Sequence, residues 1–252
     1  MTERRITALE GGLAAEIFDE LDSTNAEALR RIRAGKPREE WIVAERQTAG
    51  RGRMGRQWIS ADGNLFATRI YHANCPRARA PELSFVAALA AHDAVALAVT
   101  TAPDVRCKWP NDVLVNGAKV AGILLETEGG GPTAEWIAIG IGVNVTSAPD
   151  NVMYPATCIA NEDGQTASED VLRLLNERIS YWLGKWSKSG FRPIREAWKK
   201  VAANLGETVT LRTGNADVTG RFLDVDEHGA LILEMESGET RTMTTGDVAF
   251  RE

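Results

Sequence analysis

Apolar residues recur at helical spacing in four segments of the chain, which predicts four helices. The segments are residues 21–34, 82–100, 168–188 and 193–203. In the first, Thr24 and Glu27 have the spacing of an N-terminal capping box, and Gly35 and Pro37 supply stop signals. The second is rich in alanine and apolar on several faces, which predicts a buried helix.

Short apolar runs bounded by turn residues predict a series of strands between and around these helices. The predicted strands are residues 41–44, 65–71, 105–108, 113–115, 120–125 and 136–144. Glycines at 117 and 129–131 mark turns between consecutive strands. The order favours an α+β fold with a mixed, mostly antiparallel sheet, because strands and helices do not alternate as in a doubly wound fold.

The pattern changes after about Leu205, where short strands are separated by glycines. The predicted strands are residues 209–211, 218–225, 230–236 and 241–243. Evenly spaced short strands of this kind are typical of a small barrel. We therefore expect two domains, a large one over residues 1–204 and a small β domain over 205–252.

Composition changes this picture little. The 252 residues are 44% hydrophobic and 25% charged, as in ordinary globular proteins. No run approaches the ~20 apolar residues of a membrane helix, and the N-terminal segment lacks the apolar core of a signal peptide. The net charge of −6 does not predict attraction of the whole molecule to nucleic acid.

Cysteine usage indicates a reducing cytoplasm. Cys75, Cys107 and Cys158 are few, odd in number and far apart, and the three histidines are scattered. This spacing favours neither a disulfide framework nor a zinc site. We expect all three cysteines to be small buried apolar residues.

The loop at residues 50–56 combines three glycines with three arginines, and Trp58 follows it. Glycine lets a backbone approach a ligand closely, and arginine offers paired donors that suit a carboxylate or phosphate. The loop therefore predicts a segment that wraps an anionic ligand. Three alternatives stay open: a dinucleotide fingerprint, although no helical pattern follows the glycines as that motif requires; an RNA-binding arginine-glycine tract; and a solvated loop without a function.

Two further motifs carry candidate chemistry. Residues 108–112 read Lys-Trp-Pro-Asn-Asp, and Lys119 stands before an apolar run that predicts a buried strand. A lysine at the end of a sheet is held in place, although each of these residues alone is typical of a turn or a surface. In residues 139–144, Gly140 and Gly142 alternate with branched residues, which predicts either a ligand lying on bare backbone or a tight contact between sheets.

The order of these motifs resembles that of biotin protein ligases. The matching elements are Asp22-Ser23-Thr24-Asn25, Gln47, the loop at 50–56 with Trp58, and residues 108–112, 119–122 and 140–144. The resemblance is strong over residues 22–144 and weaker towards the C-terminus. It implies a catalytic domain related to lipoate ligases and class II aminoacyl-tRNA synthetases, followed by a small SH3-like β-barrel.

The resemblance also implies an ATP-dependent reaction in two steps. The carboxylate of biotin attacks the α-phosphorus of ATP, which gives biotinyl-5′-adenylate and pyrophosphate. A lysine of a biotin carboxyl carrier protein then attacks the mixed anhydride and AMP leaves. Biotin and ATP are therefore expected substrates, Mg²⁺ an expected ion, and the carrier an expected partner.

The same resemblance implies roles for individual residues. The expected catalytic residues are Lys119, Arg53 and Arg51. The expected biotin-binding residues are Ser23, Thr24, Asn25, Gln47, Gly50, Arg51, Arg53, Lys119, Gly122 and Gly140. The expected ATP-binding residues are Arg51, Arg53, Arg56, Trp58, Asn111, Asp112, Lys119 and Asn144. Asp112 is also the candidate metal ligand, and no role is assigned to Met54.

The segment before Asp22 is shorter than in many members of the family that the chain resembles. About 20 residues precede Asp22, too few for the N-terminal winged helix-turn-helix of many bacterial relatives. We expect a short form that does not bind DNA or membranes, with a possible homodimer. The alternatives are a lipoate or octanoyl ligase of the same fold, or a non-enzymatic RNA- or adenylate-binding module.

Overall fold

An eight-stranded sheet forms the framework of the computed structural model, which describes residues 4–100, 103–150, 152, 154–214 and 216–249. Its strands in chain order are β1 (Arg4–Ala8), β2 (Ala14–Leu21), β3 (Glu40–Gln47), β4 (Leu65–Pro76), β5 (Val105–Lys108), β6 (Asp112–Val115), β7 (Ala118–Thr127) and β8 (Thr133–Val143). Their order across the sheet is β1-β2-β3-β4-β8-β7-β6-β5. β2 and β3 run parallel, and the other neighbouring pairs of described strands run antiparallel, which confirms the predicted mixed sheet.

Helices cover both faces of this sheet. They are α1 (Thr24–Arg33), α2 (Glu82–Ala98), α3 (Ser168–Ser189) and α4 (Arg192–Lys200). Successive strand residues point to opposite faces. α1 therefore packs in a cluster with Ile42, Ile70 and Ala138, while Trp41 and Ile137 belong to the larger core with α2 and α3.

The stretch Arg77–Ala98, which contains α2, is long and apolar enough to span a membrane by length and composition alone. Most of it is buried inside the molecule, where α2 contacts α3, α4 and the strands β5 to β8. The helix is apolar because it fills the core, as the sequence pattern predicts.

A second, five-stranded sheet follows the helices. Its strands are β9 (Thr208–Arg212), β10 (Asp217–Val225), β11 (Leu231–Glu234), β12 (Thr240–Met243) and β13 (Asp247–Val248). The paired strands are antiparallel, as expected for the small β domain. It docks on the larger unit, where Trp109 Nε1 donates to the carbonyl of Gly229 at 3.0 Å and Arg195 pairs with Asp224 at 2.9 Å.

Several local predictions were wrong. Leu21 ends β2 rather than beginning the first helix, and the N-cap is Ser23, whose Oγ accepts from the amide of Ala26 at 3.4 Å. Glu27 pairs with arginines of its own helix, so the capping box at Thr24 does not form. The strands β1, β2 and β13 were not predicted at all. All three cysteines are buried and free, as predicted.

Candidate active site

The arginine-glycine loop, residues 50–56, lies in the connection between β3 and β4 and folds back on itself. Its base is closed by hydrogen bonds from Trp58 N to Gly50 O at 2.9 Å and from Gly52 N to Arg56 O at 2.7 Å. A side chain at Gly50 would place its Cβ 2.5 Å from the carbonyl oxygen of Trp58. The glycine is therefore required for this closure of the chain on itself.

Carboxylates and an amide hold the three arginines of this loop. Arg51 forms an ion pair with Glu126, and Arg56 Nη2 lies 2.6 Å from Asp247 Oδ2. Arg53 Nη1 lies 3.2 Å from Asn111 Oδ1 and 3.4 Å from Asp247 Oδ1. Burial lowers the pKa of Arg53 from its ordinary value.

Lys119 lies near the start of β7, as the sequence predicts, and points at Asp112 at the start of β6. Lys119 Nζ is 2.6 Å from Asp112 Oδ1, and Lys108 Nζ is 3.7 Å from Asp112 Oδ2. Burial lowers the pKa of Lys108. Two largely buried lysine side chains thus share one carboxylate.

A buried polar cluster lies at the start of α1. Ser23, Thr24 and Asn25 are each less than 5% exposed. Gln47 Oε1 accepts from the amide of Thr24 at 2.8 Å and lies 3.2 Å from its hydroxyl. Donors and acceptors that are fixed within an apolar fold can select a small polar ring.

The alternating glycines of β7 and β8 make a shelf for two of the chain's own side chains. A Cβ at Gly140 would lie 2.2 Å from Asn25 Oδ1. A Cβ at Gly142 would lie 2.5 Å from Trp58 Cε2, and one at Gly122 would lie 2.7 Å from Trp58 Cζ3. The absence of side chains therefore lets the indole lie flat against the sheet.

One cavity brings most of the predicted site residues together. Those that line it are Ser23, Thr24, Asn25, Gln47, Arg51, Arg53, Arg56, Trp58, Asn111, Asp112, Lys119, Gly122 and Gly140. Gly50 and Asn144 do not line it. Asn144 is buried, and its side chain donates to the carbonyl of Thr157 at 3.0 Å, so here it joins segments of backbone. Asn111 both lines the cavity and donates to the carbonyl of Ile123 at 2.7 Å.

Comparisons with known proteins agree with this geometry. Residues 17–144 match the biotin/lipoate A/B protein ligase family, and residues 205–251 match the biotin protein ligase C-terminal domain. A biotin–[acetyl-CoA-carboxylase] ligase from Paracoccus denitrificans is 44% identical over 86% of this chain and 92% of its own length. The chain belongs to the biotin protein ligase family.

Other members of the family resemble the chain over nearly its whole length. The biotin–[acetyl-CoA-carboxylase] ligase of Mycobacterium tuberculosis is 31% identical over 98% of this chain and 93% of its own. A solved structure of the Aquifex aeolicus biotin protein ligase in complex with biotin and ATP superimposes with a TM-score of 0.78 at 27% identity, and covers 94% of this chain and 98% of that chain. These likenesses favour neither a lipoate ligase nor an RNA-binding module.

Several residues in and around the cavity were missed by the sequence analysis. Tyr154 lines the cavity, and its ring centroid lies 5.1 Å from Lys119 Nζ, yet it stands in a segment without a recognisable pattern. Glu126 and Asp247 hold the loop arginines but look like ordinary solvated strand residues in the sequence. Gly142 was noted in the glycine alternation, and that pattern was the signal that could have assigned it to the site.

The residues around Asp112 do not build a protein cage for a metal ion. The described residues contain no group of three or more histidine, cysteine, aspartate or glutamate side chains placed to hold one. The carboxylate of Asp112 is engaged by Lys119 and Lys108, which compete with a cation for its oxygens. Mg²⁺ favours substrate phosphates over dedicated cages. Asp112 therefore suits a partner of the lysines better than a metal ligand.

Proposed function

We propose that this chain activates biotin with ATP to biotinyl-5′-adenylate and transfers the biotinyl group to a lysine of the biotin carboxyl carrier protein of acetyl-CoA carboxylase. The observation that carries the proposal is the convergence of Arg51, Arg53 and Lys119 on one cavity that also holds the buried polar cluster. The names of the relatives from P. denitrificans and M. tuberculosis support the choice of carrier.

The cationic side chains reduce the repulsion between the two anionic groups that react in the first step, the carboxylate of biotin and the α-phosphate of ATP. Two like charges about 4 Å apart repel by roughly 1 kcal/mol in water and by several times more near a protein surface. Lys119 and Arg53 offset this repulsion and stabilise the charge that grows on the phosphoryl oxygens. Both side chains are mostly buried, so their charges act with little screening by water.

The remaining residues orient the substrates. Ser23, Thr24, Asn25 and Gln47 offer the ureido ring of biotin paired donors and acceptors. Trp58 presents a flat indole on which adenine can stack. The arginine-glycine loop covers the cavity and keeps water from the mixed anhydride until the carrier lysine arrives.

Two further features belong to the same proposal. We place the protein in a reducing cytoplasm, and its three buried free cysteines support this. We also propose a homodimer, since β1 and β5 form the two edges of the large sheet and an edge strand can pair with a second chain. Light scattering of the purified protein across concentrations measures the assembly directly.

The experiment that tests the proposal is the exchange of labelled pyrophosphate into ATP with purified protein and Mg²⁺. Biotin and lipoate are compared, and Lys119→Ala is compared with Lys188→Ala, an exposed lysine on α3. We expect exchange with biotin alone, lost in Lys119→Ala and kept in Lys188→Ala. Folded wild-type protein that exchanges with neither acid contradicts the proposal, and exchange with lipoate alone indicates the lipoate ligase.

A further inference from the structure

Glu126 lies on β7 between two parts of the site, and its two carboxylate oxygens serve different partners. Oε1 accepts from Arg51 of the arginine-glycine loop, and Oε2 accepts from Asn25 Nδ2 at 2.9 Å. We propose that Glu126 is a positioning residue that holds the loop and the biotin-ring pocket in one arrangement. This inference rests on the proposed function, because it assigns Glu126 to the same reaction.

The Asn25 side of this contact is buried, and the side-chain amide is hydrogen bonded at both ends. Asn25 is 3% exposed, and its Nδ2 also donates to the carbonyl of Leu124 at 3.2 Å. Its Oδ1 accepts from the hydroxyl of Thr68 at 2.6 Å. An amide with both ends occupied cannot rotate without losing bonds in a buried environment, so Glu126 fixes which atoms Asn25 presents to the cavity.

The hydrogen bonds continue from Asn25 into the rest of the pocket. Thr68, which is fully buried on β4, lies 2.8 Å from the hydroxyl of Thr24, and Thr24 bonds to Gln47. A chain of polar contacts therefore joins Glu126 to residues expected to contact the ureido ring. Buried polar chains specify one arrangement when every member is satisfied.

The Arg51 side of the contact is more open. The side chain of Arg51 is 44% exposed, whereas that of Glu126 is 17% exposed. Asp247 holds the far part of the loop through Arg53 and Arg56, so Glu126 supplies the anchor at its start. Loss of the carboxylate frees this start of the loop while it leaves the Asp247 contacts in place.

The structure thus separates two effects of one side chain. Through Arg51, Glu126 retains the adenylate, and through Asn25 it supports the binding of biotin. Glutamine at this position keeps the size of the side chain, but an NH2 group replaces one of the two oxygens. Because Arg51 and Asn25 donate to different oxygens, one of them would then face a donor.

The test measures release of free biotinyl-adenylate and the Kd for biotin in wild type, Glu126→Gln and Glu128→Gln. Glu128 is a matched control, because it lies nearby but pairs with Arg33 outside the cavity. We expect Glu126→Gln to release adenylate about fivefold faster, as the loss of a half-exposed ion pair predicts. We also expect it to bind biotin several-fold more weakly, as the loss of a hydrogen bond to a charged group predicts. Glu128→Gln should match wild type.

The double mutant Arg51→Ala/Glu126→Gln distinguishes a positioning role of Glu126 from a general destabilisation of the fold. Because Glu126 acts on retention through Arg51, adding Glu126→Gln to Arg51→Ala should not raise adenylate release further, yet it should still weaken biotin binding. Additive effects on release overturn the inference. Should Glu126→Gln fail to fold, Glu126→Asp keeps the charge with too short a reach for both partners and replaces it in the cycle.

The outcomes keep this inference distinct from the proposed function. Wild-type protein without biotin-dependent pyrophosphate exchange contradicts the function itself. Wild-type protein that exchanges normally, with a Glu126→Gln variant that behaves like Glu128→Gln in both measurements, overturns only the role of Glu126.

Discussion

The two walls of the cavity differ in how their charged side chains are held. On the sheet wall, Lys119 and Asp112 sit in strands whose backbone hydrogen bonds fix them, and both side chains are nearly buried. On the loop wall, Arg51 and Arg56 are about half exposed and are held through their side chains by Glu126 and Asp247. One wall is rigid because of the fold, and the other is closed by ion pairs that can open.

This difference suits the two demands of the reaction. Charges that stabilise a transition state work best when they are already in place, which a strand provides. A cover that admits substrates, retains an intermediate and then admits a carrier lysine must open, which exposed ion pairs permit because each contributes only about 1 kcal/mol or less. The comparison predicts large effects for changes in the sheet wall and smaller ones for the loop wall.

The largest effect is expected for Asp112→Asn, which removes the carboxylate shared by Lys119 and Lys108. The two ammonium groups then repel each other, and Lys119 loses the partner 2.6 Å away that orients it. We expect biotin-dependent pyrophosphate exchange to fall by about a hundredfold, as when one preorganised electrostatic group is lost. Asp104→Asn, at an exposed ion pair with Arg106, is the control. Exchange within twofold of wild type would contradict the proposed role of Asp112 in orienting Lys119.

A smaller effect is expected for Gly142→Ala, which disturbs the shelf under Trp58. The new methyl group would lie 2.5 Å from the indole, so the ring must move. Overpacking of this kind costs about 1–3 kcal/mol, so we expect the KM for ATP to rise by about tenfold. Gly131→Ala, where nothing lies within 4 Å, should leave KM unchanged. An unchanged KM in Gly142→Ala would mean that Trp58 does not contact the nucleotide.

The Asp247→Asn variant tests the contact between the small sheet and the loop. It weakens the ion pairs with Arg56 and Arg53 and leaves the sheet wall intact. We expect adenylate release to rise by about fivefold, as the loss of about 1 kcal/mol predicts. Asp217→Asn, at an exposed position of the same sheet, is the matched control. Equal rates of adenylate release from the two variants would mean that the small sheet does not help to hold the loop closed.

The smallest effect concerns stability in acid. Bidentate hydrogen bonds from Arg30, both 2.8 Å long, lower the pKa of Asp22 below its ordinary 3.8. A carboxyl whose pKa is lowered by folding adds stability above its unfolded pKa, and this is lost as the pH falls through the folded value. Since the pair is half exposed, Asp22→Asn should lower the free energy of unfolding at neutral pH by at most about 1 kcal/mol. Denaturant titrations should show that this difference shrinks as the pH falls below 3.8 and vanishes only below the folded pKa of Asp22; a difference that stays constant as the pH falls contradicts the assignment.

The sequence predicted the site best where several characteristic residues stand close together in one motif. Lys119, Asp112 and the glycine loop stand in recognisable motifs, so the sheet wall and the loop could be placed before the structure was known. β2 was missed because its apolar and polar residues do not alternate as in a half-buried strand, and a glutamate, Glu16, stands among its buried positions. The N-cap of the first helix was misplaced by one residue because Ser23 and Thr24 are both good caps.

The residues that hold the loop could not be predicted for a different reason. Glu126 and Asp247 come from separate sheets, and their function depends on which arginine each one meets in space. Charged residues on strands are usually solvated, so nothing local distinguishes these two carboxylates.

The most direct test measures both pyrophosphate exchange and the release of free biotinyl-adenylate in Lys119→Ala and in Arg51→Ala. We expect Lys119→Ala to lower exchange by about a hundredfold or more, as when a preorganised group that acts in the transition state is lost. Arg51→Ala should retain most of the exchange and release adenylate into solution faster than wild type. Loss of exchange in both variants to the same degree, with no faster release from Arg51→Ala, would contradict the division between a rigid chemical wall and an opening cover.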